Sequence, residues 1–530
     1  MGTTNDDDRD ATPDGAIRPE LTELRKRLFA LTDDARSDAV QKRRKTGQRT
    51  ARENIADLVD PKTFVEYGAF ALAAQKQRYD HDELARVSPA DGILCGVASV
   101  NGADFDSERA RTMVLAYDYT VLAGTQGHYG HRKLDRMLAL AATHRLPIVL
   151  FAEGGGGRPG DIDVPTVAGL DTTSFLAFAA LSGLVPRVGI ASGRCFAGNA
   201  ALLGCADVII ATENSNIGMG GPAMIEGGGL GKFAPEEIGP IDVQSKNGVV
   251  DVRVKDEPEA VAVAKKYLGY FQGRLRDFTA PDQTVLRDAL PESRRRAYKI
   301  RPILETLADA GSVLELRRDF GRSVVTALAR IEGRPIGVVA NDTHHLGGAI
   351  DSDAADKASR FFQLCDAFGL PVVSLCDTPG FMVGPKAETT ALVRHVSRMF
   401  VAAARLTVPY FTIVLRKGYG LGAQAMSGGH FHAPFFTVSW PTGEFGGMNL
   451  EGAVRLAMKK QLESIEDPAA REQTFQSMVQ IAYERGKALN MAELLELDAV
   501  IDPAETRAFI VRGLESVPAT SPKRRFVDTW

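Results

Sequence analysis

Short apolar runs alternate with amphipathic stretches along most of this chain. The runs at 112–116, 148–152, 188–191 and 208–211 are rich in Val, Ile, Leu and Ala and read as buried strands. Between them the apolar spacing is helical, so residues 92 to about 273 predict strands and helices in alternation and a parallel sheet. The pattern restarts further along, with strands predicted at 336–340, 372–376, 410–415 and 435–438. Residues 258–271 form an amphipathic helical pattern, with Pro258 in a first turn where proline is tolerated. Residues 19–46 read as helical and end in the basic cluster Lys42-Arg-Arg-Lys45, and 47–66 read as helix, turn and strand. A helical tail covers 468–490, and a last helix 504–514. Residues 220–239 are rich in glycine and are expected to lack regular structure. Residues 1–18 are polar and acidic and are expected to be a disordered tail. The polar stretch 290–296 marks the expected boundary between a first domain, 19–290, and a second, 291–530.

The two halves share more than a pattern. Asp118, Gly124, Lys133, Leu146-Pro147 and Glu153 recur 224 residues later as Asp342, Gly348, Lys357, Leu370-Pro371 and Asp377. Each copy reads as strand, glycine turn, helix, then a buried strand ending near glycine. A repeat this long is not of the solenoid kind. It predicts two like-folded α/β domains joined by internal duplication, with two related sites and a transfer between two bound molecules.

A second match lies further along. Cys195-Phe-Ala-Gly-Asn199 follows one strand of the first half, and Gly420-Leu-Gly-Ala423 follows its counterpart. The same offset carries Ala197-Gly198 onto Leu421-Gly422. Small residues between a strand and an apolar helix leave first-turn N–H groups without partners, where the helix dipole favours negative charge. Such a turn is an oxyanion site made of backbone. The strand ends Glu153-Gly-Gly-Gly-Gly-Arg158 and Asp377-Thr-Pro-Gly-Phe381 bring further glycine nearby, which lets a ligand approach the chain. One such turn alone is usually only a turn; two in matching places argue for chemistry. Neither fits a dinucleotide fingerprint or a phosphate loop.

Composition narrows the alternatives. With 530 residues there is room for two cores. A net charge of −4 gives no case for nucleic acid or an acidic membrane. The cysteines Cys95, Cys195, Cys205, Cys365 and Cys376 lie in apolar segments without paired spacing and read as buried thiols in a reducing compartment. No apolar run is long enough to span a bilayer, and Asp6-Asp7-Asp8 interrupts any signal core. The expected setting is the cytoplasm, or the mitochondrial matrix in a eukaryote. Asp342, His344 and His345 lack a third ligand at metal spacing, so no metal is expected.

From about Gly47 onward the chain resembles the carboxyltransferase β-subunits of biotin-dependent acyl-CoA carboxylases. The residues that carry the resemblance are Thr50-Ala-Arg-Glu53 with Asp60-Pro-Lys-Thr-Phe64, Gly124-Thr-Gln-Gly127, Val338-Val-Ala-Asn341 and Phe361 to Asp366. Asp377-Thr-Pro-Gly-Phe381, Arg416-Lys-Gly-Tyr-Gly420 and Ser439-Trp-Pro-Thr442 complete them. The resemblance implies two tandem crotonase-like domains of the β-β-α superhelix type. It implies acyl-CoA in the first domain and carboxybiotin in the second, with the active site between the first domain of one subunit and the second of its partner. Backbone amides of Ala197 and Gly198 would hold the thioester enolate, and those of Leu421 and Gly422 the biotin ureido oxygen. Gly155, Gly156, Arg158 and Phe196 would line the acyl side, and Pro379, Gly380, Phe381, Tyr419 and Gly420 the biotin side. The implied partners are a biotin carboxylase, a biotin carboxyl carrier and further copies of the chain in a homohexamer, a trimer of dimers.

The family commonly carries glycine where Ala197 and Leu421 stand, and Asp-Ser-Gly-Gly-Ala-Arg where Glu153 to Arg158 stand. Acyl chain length is therefore open. The cluster Lys42-Arg-Arg-Lys45, Lys45 included, is a candidate for the CoA phosphates, helped by Arg49 and Arg52, against the plainer reading of a solvated basic helix end. Two other functions compete: a biotin-dependent decarboxylase subunit, and a non-catalytic scaffold in which Ala197 and Leu421 mark decay.

Overall fold

Two sheets of the same topology organise the chain in the computed structural model, which describes residues 17–165, 168–518 and 525–530. The strands of the first half are β1 (Val65–Tyr67), β2 (Ile93–Ser99), β3 (Arg111–Tyr117), β4 (Ile148–Phe151), β5 (Arg187–Ala191), β6 (Arg194–Phe196), β7 (Val208–Thr212), β8 (Asn216–Gly218) and β9 (Val252–Val254). Those of the second are β10 (Leu314–Leu316), β11 (Val324–Ile331), β12 (Arg334–Asn341), β13 (Val372–Thr378), β14 (Tyr410–Tyr419), β15 (Phe436–Ser439), β16 (Glu444–Gly446) and β17 (Ala499–Val500).

The sheet orders are β1-β2-β3-β4-β5-β7-β9 and β10-β11-β12-β13-β14-β15-β17. In each, the first three strands are antiparallel neighbours and the rest run parallel. A short parallel pair stands off each sheet: β6 with β8, and the end of β14 with β16. Every residue of β4, β5, β7 and β13 is buried, which is why they read as mainly apolar runs, though Ser374 and Asp377 are buried with the rest of β13.

The helices and turns match as the strands do. His128–His144 corresponds to Ser352–Phe368, and the 3₁₀ turn Leu122–Gly124 to Leu346–Gly348. Both helices end in a left-handed residue, Arg145 and Gly369. Their surroundings differ. Ser352–Phe368 packs in a core shared by the two halves and buries even Asp356, Lys357, Arg360 and Asp366. Its counterpart lies at the outside and keeps a polar, exposed face.

Several expectations change in detail. The 19–46 stretch is two helices, Pro19–Ala30 and Ser37–Lys45, separated by a 3₁₀ turn. The glycine-rich 220–239 stretch is not wholly irregular: it holds the helix Pro222–Gly227 and the 3₁₀ turn Pro235–Glu237, each started by a proline. Leu286 already packs into the core of the second half, ahead of residue 290. The predicted tail lies mostly outside the described residues. Among the described residues, no helix is long and apolar enough to cross a membrane.

Candidate active site

Each half delivers two backbone segments to one place. In the first, β4 leads into Glu153 and the glycines at 154–157, while β6 leads through Ala197 into the helix Gly198–Gly204. In the second, β13 leads to Thr378, Pro379, Gly380 and Phe381, while β14 leads into the helix Gly420–Met426. The preceding turn of each half presses on the strand end. A Cβ at Gly124 or Gly348 (φ +65° and +86°) would collide with the carbonyl oxygen of Glu153 or Asp377. An isolated parallel bridge, Gln126 with Gly157 and Ile350 with Phe381, fixes the loop in both halves.

The register between the halves slips by one residue before the helices. Ile148 pairs with Arg187, and Val372 with Tyr410, so an offset of 224 on one strand becomes 223 on the next. Phe196 pairs with Gly218 as Tyr419 pairs with Gly446. Ala197 (φ +51°) thus corresponds to Gly420 (φ +58°), and Gly198 to Leu421. This corrects the expected alignment of Ala197-Gly198 with Leu421-Gly422.

Ala197 is also corrected as a donor. Its N–H donates to the Gly218 carbonyl at 3.1 Å, because β8 runs alongside β6. The open donor is Gly198, the first residue of its helix, which has no intrahelical acceptor and makes no backbone hydrogen bond among the described residues. Gly156 lies across it: a Cβ there would sit 3.3 Å from the Gly198 nitrogen and 2.8 Å from the Ala197 Cβ. Asn199 pins this helix start to both loops, donating to the carbonyls of Gly124 and Glu153 at 2.9 Å each. Gln126 donates to the Asn199 side chain at 2.9 Å.

In the second half, Leu421 and Gly422 stand in the first helical turn with their N–H groups equally without partners among the described residues. A Cβ on Gly422 would lie 2.7 Å from the Gly380 backbone, so the helix start and the loop are in contact. The Leu421 side chain is 60% exposed, and its bulk lies at the surface rather than in the turn. Gly380 is buried, and its own N–H is taken by the Thr378 hydroxyl at 3.1 Å. Pro379 flanks it half-buried, and Phe381 meets Phe400 edge-on. Tyr419 is buried and donates to Glu444 at 2.9 Å, and burial pushes its hydroxyl far above the usual tyrosine range. Phe196 is buried beneath Gly221.

The basic candidates fare differently. Lys45 is exposed. Arg49 donates to Asp57 at 2.6 Å, and Arg52 to the Leu31 carbonyl at 2.8 Å and Glu66 at 3.1 Å. Arg158 is buried, paired with Asp91 and bonded to the Thr125 carbonyl at 3.0 Å, so it braces the loop and is not a free cation.

Arg43, read from the sequence only as a member of the basic cluster, is not available to a CoA phosphate. It is buried and grips the Glu153 carboxylate with both terminal nitrogens at 2.6 and 2.5 Å, while Gln48 bridges Glu153 to Ser192 at 3.2 Å each. Burial pushes the Glu153 carboxyl up, to about 7, with Arg43 pulling against it. An acid at the end of an apolar strand was the available signal, because such a group needs a cation. Asp377, its counterpart, is likewise buried and paired with Arg416 at 3.1 Å.

Beside the second turn opens a cavity of about 740 Å³, floored by Gly418, Gly420, Gly446 and Gly447. Among the described residues no group of three or more His, Cys, Asp or Glu side chains is placed to hold a metal ion.

Two like sheets of mixed α/β architecture carry matched backbone turns, and residues 42–527 match the carboxyl transferase domain, so the chain belongs to that family. The methylmalonyl-CoA carboxyltransferase 12S subunit of Propionibacterium freudenreichii subsp. shermanii is 31% identical over 522 residues, covering 95% of this chain and 94% of its own. The biotin-dependent long chain acyl-coenzyme A carboxylase beta4 subunit of Mycobacterium tuberculosis is 31% identical over 520 residues, covering 93% and 94%. Among solved structures, a single-chain, multi-domain long-chain acyl-CoA carboxylase matches with a TM-score of 0.89 and 59% identity over 94% of this chain. The present chain spans about half, 49%, of that larger one. The transcarboxylase 12S hexamer, solved with methylmalonyl-CoA bound, matches with a TM-score of 0.82 and 28% identity over 97% of this chain and 99% of its own.

Proposed function

We propose that this chain is the carboxyltransferase component of a biotin-dependent acyl-CoA carboxylase, built from two crotonase-like domains that arose by duplication. The observation that carries the reading is the pair of matching turns, each opening first-turn N–H groups toward a glycine loop. The first half, 19–290, takes acyl-CoA; the second, 291–530, takes biotin from a separate carrier protein charged by a biotin carboxylase.

Bound carboxybiotin supplies the carboxyl group and, after losing it, the base that takes the α-proton of the thioester. The chain supplies charge stabilisation. The Gly198 N–H meets the thioester oxygen as it becomes an enolate oxygen, and the Leu421 and Gly422 N–H groups meet the ureido oxygen. Preorganised donors of this kind are each worth about 100- to 1000-fold in rate. The acids nearest the turns, Glu153 and Asp377, are both paired with buried arginines, so neither is free to act as a base. Backbone donors suit this division of labour.

Two features speak against a decayed scaffold. The Ala197 N–H is taken by Gly218 whatever its side chain, and the Leu421 side chain leaves the turn open. We further propose a homohexamer, on the precedent of transcarboxylase 12S, and a cytoplasmic setting that keeps the five cysteines, all unpaired in the structure, reduced.

The test is biotin-dependent decarboxylation of 2-carboxyacyl-CoA thioesters by the purified chain, with free biotin as acceptor. Turnover that requires biotin is expected. No turnover with any acyl chain, short or long, refutes the reading.

A further inference from the structure

The apolar cavity beside the second turn has no part in the chemistry above, and we propose that it receives the acyl tail of the CoA substrate, selecting for long chains. The inference rests on the functional reading. The cavity, about 740 Å³, falls within the usual range for ligand sites of roughly 300–1,000 Å³. Its floor is the backbone of the biotin-side turn, including Gly420, the residue before Leu421. Its walls come from the helices Leu450–Ala457, with Met458 after it, Pro468–Arg485 and Ala488–Glu493, and include Ala453, Ala457, Met478, Ile481 and Met491. Methionine side chains adapt to flexible apolar ligands, and alanines leave the width a chain needs. Polar groups, His430 and Glu496 among them, also line the space.

Reaction geometry argues for the occupant. The carboxyl group leaves the ureido ring at Leu421 and joins the α-carbon of the thioester. Reacting atoms must approach to about 3–3.5 Å, so the α-carbon stands against the carboxylated ring that this turn holds. The tail hangs from that same carbon. It therefore starts beside the second half, although the CoA portion is held by the first half of the partner subunit. An apolar chain leaving that point finds the cavity next to Gly420. Each methylene removed from water there raises affinity about fourfold.

The test narrows the cavity without touching the turns. Ala453→Trp and Ala457→Trp are compared with the parent chain in biotin-dependent decarboxylation of methylmalonyl-CoA and of 2-carboxypalmitoyl-CoA. If the bulk displaces three methylenes, the long-to-short ratio of kcat/KM falls about 60-fold, from roughly fourfold per methylene. An unchanged ratio overturns the proposal. So does an equal loss with both substrates, which assigns the cavity to biotin or its carrier. Melting curves separate unfolding from a change in selectivity, and two variants guard against one failing to fold. If the parent turns over no thioester, the functional reading fails by itself. Calorimetric affinities for acetyl-CoA and palmitoyl-CoA then still decide the cavity, and no gain from the longer chain overturns the proposal.

Discussion

Gly156→Ala tests the acyl-side donor with a single methyl group. The new Cβ would lie 2.8 Å from the Ala197 Cβ and 3.3 Å from the Gly198 nitrogen. Carbon atoms prefer about 3.5–4.0 Å, so the loop must withdraw by most of an ångström or the methyl must cover the donor. Either outcome separates the Gly198 N–H from the thioester oxygen. Overpacking of this kind costs about 1–3 kcal/mol of stability. Losing the donor costs about 2.7–4 kcal/mol in the transition state, or about 100- to 1000-fold in kcat. The assay is biotin-dependent decarboxylation of methylmalonyl-CoA, with kcat and KM determined separately. A loss in kcat with KM little changed is expected, because the hole acts on the transition state. Gly157→Ala is the control, since a Cβ there meets nothing within 4 Å. Equal activity of the two variants refutes the reasoning, as does a loss in Gly156→Ala that tracks unfolded protein.

Three further outcomes follow from the same geometry. Ala197→Gly relieves a φ of +51° and ψ of −122°, which only glycine adopts without strain; it is expected to raise stability by about 1 kcal/mol in denaturant titrations and leave kcat unchanged. Glu153→Ala leaves the buried Arg43 guanidinium with Glu257, at 3.6 Å, as its remaining carboxylate and is expected to cost up to about 3 kcal/mol in the same titration, whereas a loss under about 1 kcal/mol would show the pair to be incidental. The buried Lys357 amine, bonded to the Phe320 carbonyl at 3.0 Å, is pushed down to about 7 by burial. The unfolded chain holds that proton up to about 10.4, so between these values the unfolded state binds more protons and stability rises with pH. Relative to Lys357→Met, the parent is expected to gain up to about 1.4 kcal/mol per pH unit from pH 7 toward 10, and parallel stability curves would contradict this.

β4 and the apolar middles of β5 and β7 were legible because nothing polar interrupts them, and β13 was legible despite Ser374. β2 and β11 were not read as strands. β11 carries Thr326 and Arg330, polar residues that are nevertheless buried; Arg330 donates to the Gly273 carbonyl at 2.8 Å, a partner no local pattern reveals. The glycine turns were legible as sites of open backbone, but which N–H is open was not. The Ala197 amide is captured by β8, a strand some 20 residues away in sequence, and that pairing is tertiary. The one-residue slip between the halves left no trace in composition, and only strand register exposes it. Arg43 stood among four consecutive basic residues, and only burial against Glu153 singles it out. Arg158 illustrates the converse, since a kept motif residue turned out to hold Asp91 and the loop.

The claim on which the account turns is that main-chain N–H groups, not side chains, hold the charge on the transferred group's carrier. Leu421→Pro removes one such N–H in the first turn of a helix, where proline is tolerated, while Leu421→Ala changes the side chain and keeps the donor. Measured side by side in biotin-dependent decarboxylation, the proline variant is predicted to lose about 100- to 1000-fold in kcat and the alanine variant almost nothing. Comparable rates for the two folded variants would contradict it.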